Sequence, residues 1–294
     1  MKDSDQLRRF LFDGTRVRGE WVRLDASWQA ALDRHDYPEP VARLLGESLA
    51  AAALLSATIK YSGALTLQVQ GSGPLTLLVV QVNAERSLRG MAEWSDEVPD
   101  TSLYEMCGDA RLVITIESNS TGERFQSVVS VGKGSLAEAL DSYFKQSEQL
   151  QTRLWLATNK QYSTGLLLQE MPETEKETGS EEHSWEHLVH LAETVTAQEL
   201  LELPMTDVLY RLYHQEQVRL FEPEPVSFRC SCSRTRVAES LRSLGQEEMT
   251  ELIEEQGVVS IDCGFCKQHY ELDQVDIAQL FAPGATHGSS GTTH

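Results

Sequence analysis

Basic residues are scarce in this chain. Lys and Arg number 25 against 45 Asp and Glu, a formal net charge of −20 over 294 residues. A surface of that sign repels phosphate backbones, whose binding rests on clustered Lys and Arg. Long apolar runs are missing too: the most apolar one, residues 49–59, already carries Ser56 and Thr58 and falls well short of the ~20 residues that a bilayer span needs. The start, Met1-Lys2-Asp3-Ser4-Asp5, is charged and leads into no apolar signal core. That predicts a chain that is not exported, with a reducing cytoplasm as its compartment and no membrane partner.

Motifs of ordinary catalysis are absent as well. No serine lies in a Gly-x-Ser-x-Gly elbow and no histidine in a His-Glu-x-x-His pair. Gly71-Ser72-Gly73 is followed by Thr76 where a dinucleotide fingerprint needs glycine, and Gly132-Lys133-Gly134-Ser135 lacks the order of a phosphate loop, so both read as turns. The chain is therefore expected not to be an enzyme.

What is present is a soluble globular composition, 40% hydrophobic and 24% charged, in three stretches. Residues 1–172 read as a mixed α/β core. An amphipathic segment at 18–30 leads to the turn His35-Asp36-Tyr37-Pro38, and a Leu- and Ala-rich helix follows over 41–60. Alternation predicts strands at 65–70 and 75–82, joined by Gly71-Ser72-Gly73-Pro74, and again at 112–117 and 124–131. Ser135 and Glu138 form a capping box that starts a helix running to about Gln146, and closing strands are expected at 152–158 and 164–169. Residues 173–227 read as an acidic helical linker. Its first ten residues carry five glutamates against Lys176 and predict a solvated stretch. From Trp185 to Tyr213 the pattern turns helical, with a second capping box at Thr196/Glu199 and a break at Leu203-Pro204. Residues 228–294 form a small C-terminal module with a Gly/Ser-rich tail after Pro283 that reads as disordered. The fold class is α+β: a core with a mainly antiparallel sheet, a helical linker and a small metal-binding module.

Of five cysteines, four fall within 37 residues: Cys230-Ser231-Cys232 and Cys263-Gly264-Phe265-Cys266. Clustered thiols in a reducing compartment are more often metal ligands than disulfides. Four thiolates complete the closed tetrahedron that structural zinc prefers, so one Zn2+ per chain is expected on Cys230, Cys232, Cys263 and Cys266. Residues 258–261 and 269–272 would be the arms of a hairpin carrying the second pair, with Gly264 tightening its turn. The Cys-x-Cys spacing of the first pair also permits a strained small-ring disulfide once the metal is gone. His269 could substitute as a ligand, but four thiolates already fill the shell. A thioredoxin-type pair would open a helix after a strand, whereas this one lies between extended segments. The remaining alternative is a zinc-ribbon nucleic-acid-binding protein. Against it, residues 228–282 carry five basic side chains and ten acidic ones. Cys107 stands alone and reads as a small buried side chain.

The cysteine arrangement, together with Val17-Arg18-Gly19-Glu20, His35-Asp36-Tyr37-Pro38, Gln68-Val69-Gln70-Gly71, Ser147-Glu148-Gln149-Leu150 and Arg211-Leu212-Tyr213-His214, resembles the redox-regulated heat-shock holdases of bacteria, the 33-kilodalton chaperonin family. The resemblance implies an α/β core that binds clients and dimerises, a helical linker folded over it, and a zinc module that senses oxidants. It further implies that the reduced, zinc-loaded form is inactive. Oxidation would form the disulfides Cys230–Cys232 and Cys263–Cys266, the second of them first. Zinc would then leave, and the oxidised homodimer would hold unfolding client proteins without ATP.

Overall fold

The computed structural model describes residues 4–282 apart from Lys60, Asp96, Ser120, Lys133, residues 173–183 and Ser243. The acidic stretch expected to be solvated and the tail beyond Pro283 lie outside the described residues. The chain divides into two compact units, residues 1–229 and 230–294.

The first unit opens with a hairpin, β1 (Gln6–Phe12) and β2 (Val17–Leu24), followed by α1 (Ala26–Leu32) and α2 (Glu39–Thr58). The amphipathic segment at 18–30 is thus a strand and a short helix. Val17, Trp21 and Val22 pack into cores on both faces of β2, and a strand gives those faces where one helix would not. In the hairpin register Phe10 faces Gly19, and a Cβ on Gly19 would meet the Phe10 ring at 2.0 Å, so only glycine fits beneath that ring.

Three strands follow, β3 (Ala64–Gln70), β4 (Leu75–Asn83) and β5 (Ser87–Trp94), then α3 (Leu103–Cys107), β6 (Arg111–Glu117) and β7 (Arg124–Ser130). The expected capping box forms between Ser135 and Glu138 and starts α4 (Leu136–Tyr143), which runs on as a π-turn over Phe144–Glu148. Then come β8 (Thr152–Thr158) and β9 (Ser163–Glu170). Three helices, α5 (Ser184–Ala192), α6 (Ala197–Glu202) and α7 (Met205–Tyr213), precede short strands β10 (Val218–Leu220), β11 (Glu224–Pro225) and β12 (Ser227–Phe228). The Thr196/Glu199 capping box starts α6, and the break at Leu203-Pro204 separates it from α7.

The strands make two sheets rather than one. The first has order β10-β1-β2-β9-β8 with β11 also on β1, and the second has order β12-β5-β4-β3-β6-β7. Every pair is antiparallel except β12 with β5. Helix α2 packs against strands of both sheets. Fourteen of its 20 residues are buried, as a helix apolar on all sides requires. By length and composition α2 is apolar enough to cross a membrane, which reading residues 49–59 alone had missed. Yet 72% of its most apolar window lies inside the protein. Its last carbonyls find donors in the first sheet, Arg9 on Ala57 O and Arg18 on Thr58 O, both at 3.2 Å.

One carboxylate on α2 gives a prediction. Glu47 lines a cleft with Arg43 and Glu138, and burial, opposed by Arg43, pushes its carboxyl up to about 7. The folded state then holds a proton that the unfolded chain has lost between about pH 4.5 and 7. This contribution is full below the unfolded value and disappears as pH rises through the folded one. Glu47→Gln is expected to match the parent near about pH 4 and to exceed it by on the order of 2 kcal/mol near about pH 8. Urea midpoints at the two pH values check this, and equal shifts at both would refute it.

The first sheet is buried on both faces. Val22, Leu154 and Leu167 point to the α2 core, while Phe10, Phe12, Val17, Trp21, Leu166 and Leu168 point the other way. Over that second face lie Trp185, Leu188, Leu200, Met205, Val208, Leu212 and Tyr213 from α5, α6 and α7. Tyr213 meets the Phe12 ring edge-on at 4.7 Å.

The second unit contains α8 (Arg234–Arg242), α9 (Gln246–Gln256), the antiparallel hairpin of β13 (Val259–Asp262) and β14 (His269–Leu272), and α10 (Gln274–Leu280). Its core is thin: among the described residues, Leu241, Met249, Ile253, Val259, Leu272 and Ile277 are the buried apolar side chains.

Candidate metal centre

Each pair of cysteines is held by its own local device. Ser233 caps α8, its Oγ accepting from Arg236 N at 3.3 Å, which places Cys230 and Cys232 just ahead of the helix. Arg236 turns back and donates to Ser231 O at 2.9 Å, fixing the residue between the two sulfurs. The second pair sits at the tip of the β13–β14 hairpin, whose register runs from Val259↔Leu272 to Asp262↔His269. Cys263 N donates to Gln268 O at 3.0 Å and Lys267 N to Cys263 O at 2.8 Å. Lys267 has a positive φ of 56°, so a non-glycine residue just beyond Cys266 adds tightness to the turn in which Gly264 lies.

The four sulfurs converge. Cys230 Sγ lies 3.7 Å from Cys263 Sγ, and Cys232 Sγ 3.3 Å from Cys266 Sγ. All four lie within 4.8 Å of one another, and no two are bonded. Four thiolates at ~2.3 Å from a central ion would have S···S edges of about 3.8 Å, so the set fits a tetrahedral cation and can hold a metal ion. Burial, opposed by the Gln268 backbone N–H, and then the three neighbouring sulfurs push the Cys266 thiol up to about 12. A cation among the sulfurs reverses that preference and lets all four ionise.

Tyr270 was not singled out from the sequence. Its hydroxyl donates to Cys232 Sγ at 3.1 Å, and that bond above all raises its own pKa to about 12, so it stays a donor. The only sequence signal was its place four residues beyond Cys266 on a strand. His269 is occupied elsewhere, Nδ1 at 2.8 Å from Asp262 and Nε2 at 3.3 Å from Glu271. Cys107 lies fully buried in the first unit, its thiol pushed up to about 11 by burial.

Known proteins are similar over the whole length. Residues 5–273 match the model of the Hsp33 protein family. A 33 kDa chaperonin of Nitrosococcus oceani is 50% identical over 294 residues, covering all of both chains. One from Pseudomonas aeruginosa is 49% identical over 298 residues, again with full coverage of both. Among solved structures, the 33 kDa chaperonin (heat shock protein 33 homolog) of Thermotoga maritima shares the fold. Its TM-score is 0.80 at 22% identity, with 94% of this chain and 97% of that one covered.

Proposed function

The chain belongs to the Hsp33 protein family, whose members are chaperones that bind unfolded client proteins, and from that premise we propose that it is a cytoplasmic, redox-activated, ATP-independent holdase. The observation that carries the proposal is the convergence of four sulfurs from two separate segments. In the reduced state Cys230, Cys232, Cys263 and Cys266 hold one Zn2+, which supplies the folding energy that the thin core of residues 230–282 lacks. Oxidation pairs Cys230 with Cys232 and Cys263 with Cys266, and the thiolates so consumed no longer ligate the ion. The unit then unfolds.

Client binding follows from the first unit. Residues 184–213 cover an apolar sheet face that contains Phe10, Phe12, Trp21, Leu166 and Leu168. Cys230 follows directly on β12 and on Arg229, whose N–H donates to Leu88 O at 2.9 Å, so unfolding from Cys230 onward pulls at the end of the first unit. Uncovered, the sheet face and the apolar faces of α5–α7 become the surface for clients and for a second copy in the oxidised homodimer. Glu186, Glu193, Glu199 and Glu202 in the same segment keep the open form soluble. Neither nucleic acid nor membrane is a partner in this reading, and the cysteines act as a switch with no catalytic turnover.

The test follows light scattering from a denatured client diluted into buffer without ATP. Peroxide-treated protein is expected to suppress scattering and reduced, zinc-loaded protein to leave it unchanged. Equal suppression by both would reduce the metal to a structural clamp, and none by either would overturn the holdase reading.

A further inference from the structure

We propose that Tyr270 holds Cys232 back from oxidation and thereby sets the order in which the sulfurs react, an inference that rests on the switch reading above. Its hydroxyl reaches Cys232 Sγ at 3.1 Å from β14, where the residue is paired with Ile261. The donor therefore comes from the strand behind the Cys263/Cys266 knuckle and acts on a sulfur of the other pair.

The chemistry makes that bond matter. A thiolate attacks hydrogen peroxide through a sulfur lone pair: an S–O bond forms, the O–O bond breaks and hydroxide leaves, giving a sulfenic acid. A neighbouring thiolate then attacks that sulfur, an S–S bond forms and a second hydroxide leaves. Two sulfurs have lost two electrons and one peroxide has gained them. A hydroxyl donating to the attacking lone pair stabilises the electrons that must move, and it stands in the path of the oxidant. Cys266 receives a backbone N–H from Gln268 instead, a weaker acid than a phenol. Tyr270 is thus a positioning residue that ties the reactivity of the first pair to the integrity of the hairpin. Once the Cys263/Cys266 knuckle oxidises and distorts, the hydroxyl is withdrawn and Cys232 is freed.

The experiment uses the full-length, reduced, zinc-loaded protein and its Tyr270→Phe variant under limiting hydrogen peroxide. Samples are quenched with an alkylating reagent and each cysteine's oxidised fraction is mapped by mass spectrometry, while a chromogenic chelator reads zinc release. Loss of one such bond should speed oxidation of Cys232 roughly five-fold relative to Cys263 and Cys266 in the same molecules. A merely loosened unit would speed all four sulfurs together, so that outcome overturns the proposal, as does an unchanged ratio. Tyr270→Leu, which lacks the donor and the ring, should show the same selective gain, and zinc content before oxidation confirms that both variants are loaded. If the parent protein neither releases zinc nor forms disulfides, the switch reading falls and this inference with it. If the parent switches normally and the ratio in Tyr270→Phe does not move, Tyr270 alone is excluded.

Discussion

Replacing Cys266 with serine is expected to cost the C-terminal unit its metal and most of its fold, while leaving the first unit folded. A serine hydroxyl does not ionise at neutral pH and is a hard, poor ligand for a borderline-soft cation, so three thiolates must hold what four held. Removal of an outer-shell partner alone typically costs about 10–100-fold in affinity, and losing a ligand should exceed that. Metal binding to such sites is worth on the order of 10–16 kcal/mol, as much as the whole stability of an ordinary domain. The apolar core in hand is Leu241, Met249, Ile253, Val259, Leu272 and Ile277. It does not replace that sum.

The expected readings are a zinc content well below one per chain and loss of amide protection in α8–α10 and β13–β14. Protection in β2, β9 and α2 should be kept, because their clusters are separate from this core. Suppression of client aggregation should appear without oxidant. Cys107→Ser is the control: that thiol is buried in the first unit and should leave zinc content unchanged. One tightly held zinc in Cys266→Ser, with unaltered protection, would sink the claim that the metal carries this unit's fold.

The convergence of the four cysteines was legible in the sequence because clustered thiols have few other uses and their spacing survives without knowledge of the fold. Strands such as β3, β8 and β9 were legible for a different reason, since their alternation or their apolar runs match one or two buried faces. β1 was not found. Its buried positions are Leu7, Phe10 and Phe12, and the adjacent Arg8-Arg9 interrupts the period of two. β5 was missed too. Its Gly90 reads as a breaker, and only in three dimensions does it prove to be where Leu45 and Leu49 approach to 3.0 and 3.2 Å of a would-be Cβ. The division into two sheets depends on which strands pair, and local periodicity does not encode that. The one hint was α2, whose run from Ala50 to Leu55 is apolar on every side and so needs covering all round. Nor did spacing mark Tyr270 or Arg23, because each acts through a partner distant in sequence.

Arg23→Leu is expected to loosen the helical cover of the first sheet without unfolding the unit beneath. Arg23 lies on β2 with 7% of its surface exposed, and its Nη2 donates at 2.7 Å to both Leu200 O and Leu203 O. These are carbonyls at the C-terminal end of α6, where no intrahelical donor remains and the helix dipole favours a cation. The guanidinium also stacks 5.3 Å from the centre of the Tyr162 ring. Leucine keeps apolar bulk and removes the donors, stranding two carbonyls under the cover. At ~1.5–3 kcal/mol for each bond to a charged group, the loss of both should raise the open population by at least roughly 100-fold. Lysine should fall between, since one ammonium does not reproduce a planar fork. Arg153, which reaches Glu193 at 3.5 Å, is half exposed and a pair of that kind contributes little, so it does not compensate. The apolar contacts of Trp185, Met205, Val208 and Leu212 remain, and they keep the cover closed most of the time. The variant should therefore show faster hydrogen exchange across residues 184–213, unchanged exchange in β3, β4 and β6, and a lower oxidant dose for half-maximal client suppression. If α6 and α7 exchange at the parental rate, the cover is held by apolar packing alone and Arg23 is only a buried ornament of β2. If β3, β4 and β6 quicken as well, the arginine supports the whole unit, and the cover has no separate stability for an unfolding metal module to overcome.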